Sequence, residues 1–231
     1  MNIAIIPARG GSARIPHKNI KDFCGKPILA YAIESAKNAQ IFDKIIVSTD
    51  SAEIRRIALD LGADSPHLRD KYSDDFATTI EVLAFEAGRL GLQKDDCVCC
   101  IYPCSPLLQS EFLKKGFEKF LQNQNSYIFS ACEYNSNPLR SFFIKDGKIQ
   151  MLSERFELSR SQDLEALYYD AGQFYFGSAE NFLQKKPIFS ADSKIIKIPQ
   201  IYVVDINTIE DWGIAELKYR VLRNLSQNPT Q

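Results

Sequence analysis

At 231 residues the chain is long enough for one good-sized α/β domain carrying a small excursion. Its composition, 45% apolar and 25% charged, is ordinary for a soluble globular protein. A formal net charge of −1 excludes a broad basic surface for nucleic acid or anionic membrane, so any anion it binds must be held by a few local cations. No apolar run approaches the roughly 20 residues of a membrane span. The apolar opening Met1–Pro7 lacks the basic leader and small-residue cleavage site of a signal peptide.

Asn2–Pro7 is a short apolar run ending at a Gly-rich turn, the pattern of a first buried strand. Pro27–Gln40 carries Ile28, Tyr31, Ala32, Ser35 and Ala36 as a helical stripe. Lys44–Asp50 reads as a second strand, β-branched and closed by an acid. Ser51–Leu61 is helical with Gly62 as its stop, Thr78–Leu90 is a third helix, and Asp96–Tyr102 is a third strand. Ser110–Gln122 is a fourth helix, with Ser110 as its expected N-cap and Glu111 in its first turn. This alternation predicts a three-layer α/β/α fold with a mainly parallel sheet and helices on both faces.

Four of the six cysteines fall within Asp96–Cys104, which contains a formal C-x-x-C. A zinc site needs that spacing on a tight turn with a second ligand pair, and only His17 and His67 could assist. The run is instead continuously apolar and strand-like, so buried reduced thiols and a cytoplasmic location are expected.

After Ser126 the rhythm changes. Ser126–Tyr134 reads as a strand, and Phe142–Ile149 contains the hairpin turn Lys145-Asp-Gly-Lys148. Ser153–Leu167 is polar and irregular, Asp170–Phe176 and Ile195–Val204 are expected strands, and Glu210–Leu225 is a closing helix. The expectation is a single domain over residues 1–231 with an excursion at about residues 133–170.

The first strand–turn–helix carries the chemistry. In Arg9-Gly10-Gly11-Ser12, the glycines permit positive φ and close approach of backbone N–H groups to a ligand. Ser12 adds a hydroxyl, and Arg9, Arg14 and Lys18 add charge, a combination that suits a polyphosphate; a basic surface loop is the plainer alternative. Neither G-x-x-x-x-G-K-[ST] nor G-x-G-x-x-G is present, so the phosphates would be held by arginine and lysine as well as by amides.

Ile6-Pro-Ala-Arg-Gly-Gly-Ser12, with Ile15-Pro16 and Lys18-Asn19-Ile20, resembles the opening of the CMP-nonulosonate synthetases, the cytidylyltransferases that activate sialic acid, pseudaminic acid and their relatives. The similarity runs on through Phe23-Cys-Gly-Lys-Pro27, Val47-Ser-Thr-Asp50, Arg69 with Ser73-Asp-Asp75, and Ser105-Pro106, nearly the whole chain. Within the family, Asp170–Gly177 most resembles the pseudaminic acid enzymes. The resemblance implies a Rossmann-like nucleotidyltransferase sheet on which the anomeric hydroxyl of a nine-carbon acidic sugar attacks the α-phosphate of CTP and pyrophosphate leaves. It also implies Mg²⁺ or another divalent cation, and a homodimer whose excursion helps close the partner's sugar pocket. By motif position, Arg9, Gly10, Gly11, Ser12, Lys18 and Asn19 would hold the nucleotide, with contacts added by Arg69 and Thr78. Arg9, Lys18 and Asp205 are the implied catalytic groups.

Three departures mark this chain. Relatives carry Lys after the loop serine where this chain has Ala13, so Arg14 is expected to substitute in part. Relatives carry Asp-x-Asp after a late strand where this chain has Asp205-Ile206-Asn207, leaving Asp205 and Asn207 as the metal candidates; a helix-capping Asp205 is the alternative. Tyr102 stands where sialate enzymes have Gln, as a sugar contact or a core aromatic. At the sugar end Arg160 matches an arginine used for the sugar carboxylate, Tyr168 replaces a second, and Arg155 is a spare. Asp170 is expected to face substrate, while Gln173 can share its face only if the strand's register is broken. The aromatics from Phe142 to Phe176 signal core or dimer interface. Legionaminate, sialate or a Kdo-like sugar, a glycosyltransferase, and a non-catalytic nucleotide sensor are the competing readings.

Overall fold

The computed structural model describes residues 1–12, 14–74 and 76–227, with side chains described to residue 225; Ala13 and Asp75 lie outside the described residues. In chain order the elements are β1 (Asn2–Pro7), the two-residue strands β2 (Asp22–Phe23) and β3 (Lys26–Pro27), α1 (Ile28–Ala39), β4 (Lys44–Ser48), α2 (Ala52–Asp60), α3 (Thr79–Arg89), β5 (Cys97–Ile101) and α4 (Ser110–Leu121). They continue with β6 (Ile128–Glu133), β7 (Phe142–Lys145), β8 (Lys148–Met151), β9 (Tyr168–Ser178), α5 (Ala179–Leu183), β10 (Lys194–Lys197) and α6 (Ile209–Gln227).

The main sheet has the order β10-β6-β9-β5-β1-β4. β1 runs parallel to β4 and β5, and β10 parallel to β6; β9 alone runs against its neighbours β5 and β6. Alternation along the buried strands loads both faces. Ala4, Ile6, Cys99 and Ile101 pack with Leu29 and Ile33 of α1, Ile54 of α2 and Leu113 of α4. Ile3, Ile5, Val98 and Cys100 pack with Leu83 and Ala87 of α3 and Phe182 of α5. The three layers follow directly. A third cluster joins Ile15 and Phe23 near the chain start to Ile206, Trp212 and Ala215 near its end.

Two local expectations are corrected. Gln109, not Ser110, is the N-cap of α4, and it makes no side-chain cap bond. The late strand ends at Lys197 rather than Val204: Pro199 has no N–H to continue a ladder, and a 3₁₀ turn follows at Gln200–Tyr202. Residues 203–207 are therefore an irregular arm. Lys218 of α6 pins it by donating to the carbonyls of Gln200 (2.9 Å) and Val203 (2.7 Å).

Between β6 and β9 the chain leaves the sheet, with 3₁₀ turns and the antiparallel β7–β8 hairpin. Asp146 and Gly147 take φ of 50° and 74°, the left-handed pair that a type I′ turn requires. Phe142, Phe143, Ile144 and Ile149 on this hairpin are all exposed.

Candidate active site

Open parallel sheets gather ligands where strands end, because loops diverge there. A cavity of about 850 Å³ opens at that edge. Pro7 marks the end of β1, Tyr102, Pro103 and Cys104 follow β5, and Asp170, Ala171 and Gly172 come from the near end of antiparallel β9. The arm Val204–Asn207 closes one side.

Arg9, Gly11, Ser12, Arg14, Lys18 and Asn19 all line this cavity, so the basic loop faces a concave site rather than open solvent. The glycines serve differently from expectation, since neither Gly10 nor Gly11 has positive φ. Gly10 donates its N–H to Asp50 Oδ1 (2.7 Å), and a Cβ there would meet the Ser51 Cβ at 3.0 Å. Gly11 faces open space, leaving its backbone approachable. Asn19 is only 6% exposed and ties two walls together: its Nδ2 donates to the Arg9 carbonyl (2.8 Å), and its Oδ1 accepts from the Cys104 thiol (3.1 Å). Burial pushes the Cys104 thiol up to about 12. Lys18 Nζ donates to the Ile206 carbonyl (2.9 Å), joining the loop to the arm.

Arg69 also lines the cavity, but it is 4% exposed and not a solvated surface arginine. Its Nη1 donates to the Ser48 carbonyl (3.2 Å) and hydroxyl (3.0 Å), while its Nε is buried with no partner in the protein. Burial lowers its pKa from the usual arginine value, opposed by Asp50 and Glu86. Thr78 is corrected: it caps α3 in a reciprocal capping box with Glu81 and does not line the cavity. Thr79, one residue on, does.

Asp205 and Asn207 both line the cavity although they are not on a strand. Asn207 Nδ2 donates to Asp205 Oδ2 (2.6 Å). Asp205 does not cap α6; Thr208 and Asp211 do so, with Asp211 Oδ2 accepting from the N–H groups of Asn207 (2.9 Å) and Thr208 (2.7 Å). Those bonds, the Asn207 N–H first, hold the Asp211 carboxyl below its usual value. One oxygen of Asp205 is thus clasped by an amide, and the residue lines the cavity without a cap to serve.

At the far wall the Tyr102 hydroxyl bonds Thr79 Oγ1 (2.6 Å), and its ring lies 5.4 Å from that of Tyr175. The Tyr175 hydroxyl donates to Asp170 Oδ2 (2.5 Å), and the Gly172 N–H donates to Asp170 Oδ1 (2.9 Å). Burial raises the pKa of both phenols. The register of β9 is indeed broken: Phe129 faces Tyr175 and Ala131 faces Asp170, so two steps on β6 span five on β9. The break turns Gln173 inward. It is 4% exposed, donates to the Tyr202 carbonyl (2.6 Å) and does not line the cavity. Arg160 pairs with Asp163 (2.8 Å) on the excursion, Arg155 stacks on Phe156, and Tyr168 contacts Lys197; none of the three lines the cavity of its own chain.

Sequence reasoning missed Thr79, Cys104 and Tyr175, which all line the site. The strand-end run Tyr102-Pro-Cys104 was a usable signal for Cys104. Nothing local marks Thr79 over Thr78.

The family model described as cytidylyltransferase matches residues 3–216. The chain belongs to the cytidylyltransferase family. As a cytidylyltransferase it is an enzyme of nucleotidyl transfer, and the cavity is where its nucleotide chemistry must be sought. It is 44% identical over 224 residues to a Campylobacter jejuni protein named pseudaminic acid cytidylyltransferase, covering 95% of this chain and 97% of that one. A Legionella pneumophila protein named CMP-N,N'-diacetyllegionaminic acid synthase is 30% identical, covering 93% and 94%. In fold, this cytidylyltransferase matches a solved CMP:2-keto-3-deoxy-manno-octonic acid synthetase with TM-score 0.70 at 13% identity, over 97% of this chain and 99% of that one.

Proposed function

We propose that this cytidylyltransferase transfers CMP from CTP to the anomeric hydroxyl of pseudaminic acid, giving CMP-pseudaminate and pyrophosphate. The observation that carries the choice of sugar is the 44% identity, over nearly full length, to a protein of that name, against 30% for the legionaminate relative. The cavity is consistent with the reaction. It brings four basic or hydroxyl side chains, Arg9, Ser12, Arg14 and Lys18, against one edge and a polar wall of Tyr102, Tyr175 and Asp170 against another.

Phosphoryl transfer of this kind depends on alignment and on neutralising charge that builds on phosphoryl oxygens. Arg9, Ser12 and the open backbone at Gly11 hold the triphosphate. Arg14 and Lys18 meet the charge that grows as the bond from the α-phosphorus to pyrophosphate breaks. Arg69, which lines the cavity, would meet the nucleotide with the part of its guanidinium that Ser48 does not hold. The donor set fits a hard divalent cation, because Asp205 supplies a carboxylate oxygen and such ions keep waters and phosphate ligands as well. Asp205 would hold Mg²⁺, with Asn207 beside it, and the metal would supply further neutralisation of the phosphates. The wall at Asp170 and Tyr102 meets the sugar.

The exposed apolar hairpin supports assembly into a homodimer. Arg160 on that excursion would then serve the partner's sugar pocket, which accounts for its absence from its own. The six unpaired thiols accord with a reducing, cytoplasmic setting, and no helix among the described residues is long and apolar enough to cross a membrane.

Pyrophosphate release from CTP with a panel of nonulosonic acids tests the reading. Release with pseudaminate is expected; release only with another sugar overturns the substrate, and release with none overturns the enzyme.

A further inference from the structure

Behind the cavity a chain of buried polar groups runs from Arg69 toward the surface, and the reaction as described makes no use of it. Ser48, at the end of β4, is 2% exposed, and Glu86, on the inner face of α3, is fully buried. The Ser48 hydroxyl accepts from Arg69 Nη1 (3.0 Å) and donates to Glu86 Oε1 (2.6 Å). Glu86 Oε2 bonds His67 Nε2 (2.8 Å), whose side chain is 19% exposed.

The polarity of this chain follows from its members. A guanidinium can only donate and a carboxylate can only accept, while a hydroxyl has one proton and two lone pairs. With Glu86 behind it, the Ser48 proton is committed backward, so its lone pairs face Arg69. The Ser48 carbonyl completes the grip on Nη1 and also accepts the Ala8 N–H (2.8 Å), which fixes it to the end of β1. One edge of the guanidinium is therefore locked, Nε on another is buried without a partner, and the residue as a whole lines the cavity. A buried Arg unsupported by counter-charge would be costly, and Glu86 with Asp50 supplies that charge without occupying Nε.

We propose that Glu86, acting through Ser48 and closed toward solvent by His67, is a positioning residue that aims Arg69 at the nucleotide. This rests on the reading above that Arg69 contacts CTP. Glu86 touches no substrate; its effect passes wholly through the guanidinium.

The test is calorimetric titration with CTP in the presence of Mg²⁺, paired with steady-state kinetics, on Glu86→Gln, Ser48→Ala, Arg69→Met and the two double variants. Loss of one charge-assisted contact predicts about tenfold weaker CTP binding for either single variant. The sugar KM and kcat should stay within about twofold, because nothing at the far wall has moved. In the Arg69→Met background neither Glu86→Gln nor Ser48→Ala should weaken CTP binding further, since no guanidinium remains to aim. An equal loss in that background, unchanged CTP binding in the singles, or a parallel rise in sugar KM overturns the proposal. Should Glu86→Gln fail to fold, Ser48→Ala and its double carry the same comparison. Absence of CTP binding by the unaltered enzyme would instead overturn the nucleotide reading, and the proposal with it.

Discussion

The two ends of the cavity, which we assign to nucleotide and to sugar, are built to different rules. On the nucleotide side nearly every functional group is held by a second one: Gly10 by Asp50, Asn19 by Arg9 and Cys104, Lys18 by Ile206, Arg69 by Ser48. On the sugar side Asp170 is held by Tyr175 and Gly172, but Arg160 and the hairpin stand in solvent, paired only locally. A rigid half suits a ligand that is always CTP. In the proposed dimer the other half would be completed by the partner, and so could differ between relatives that share a nucleotide.

Substitutions should sort along that divide. Arg69→Ala carries the largest expected effect, on the order of a hundredfold or more in kcat/KM for CTP, because it removes the proposed nucleotide contact and the cation that faces Glu86 through Ser48. The same variant should melt several degrees lower in a thermal scan. Asp205→Ala comes next, on the order of a hundredfold in kcat, with a raised Mg²⁺ requirement in a metal titration at fixed CTP. An unchanged metal requirement would remove Asp205 from the metal. Asp170→Ala should raise the sugar KM about tenfold with the CTP KM unchanged, measured by varying each substrate in turn; a rise in both would erase the divide. Ile144→Asp should shift the protein toward monomer in light scattering while leaving CTP binding intact. Smallest is the acid effect at the arm. The depressed Asp211 carboxyl contributes its stability in full above its ordinary value of 3.8 and loses it as pH falls through the lowered one. Thermal midpoints of Asp211→Asn and the unaltered enzyme should therefore converge in strong acid and differ slightly near neutrality.

The same divide governs how much could be read from residues alone. Most main-sheet strands and helices were legible, since buried strands and amphipathic helices announce their periods locally. β10 was anticipated too long, since Pro199 ends it. The two-residue strands β2 and β3 leave no periodic signal, and the expected strand overruns into the arm at residues 203–204, because Lys218 and Lys18 set that arm from far along the chain. Arg9, Ser12, Lys18, Asn19 and Asp205 were legible as cavity residues because each belongs to a short sequence motif. Thr78 was misplaced by a single step: its capping box consumes the hydroxyl, and helix geometry turns Thr79 inward instead. The odd spacing of Asp170 and Gln173 leaves the latter's face undecided from sequence, and the break is held by long-range bonds, among them those from the N–H groups of Gln173 (3.1 Å) and Phe174 (3.2 Å) to the Ser130 hydroxyl. Arg160 pairs with Asp163 on the excursion, away from the cavity, and Ala13 lies outside the described residues.

The bond from Lys18 to the Ile206 carbonyl also bears on synthesis of the protein itself. The loop at residues 9–18 gains that anchor only after the arm at residues 203–207 has been translated. A product truncated before residue 206 keeps the Gly-rich loop yet lacks both, so it should be catalytically silent rather than partly active. Chemistry at residues 9–18 is thereby tied to a segment 188 residues further along.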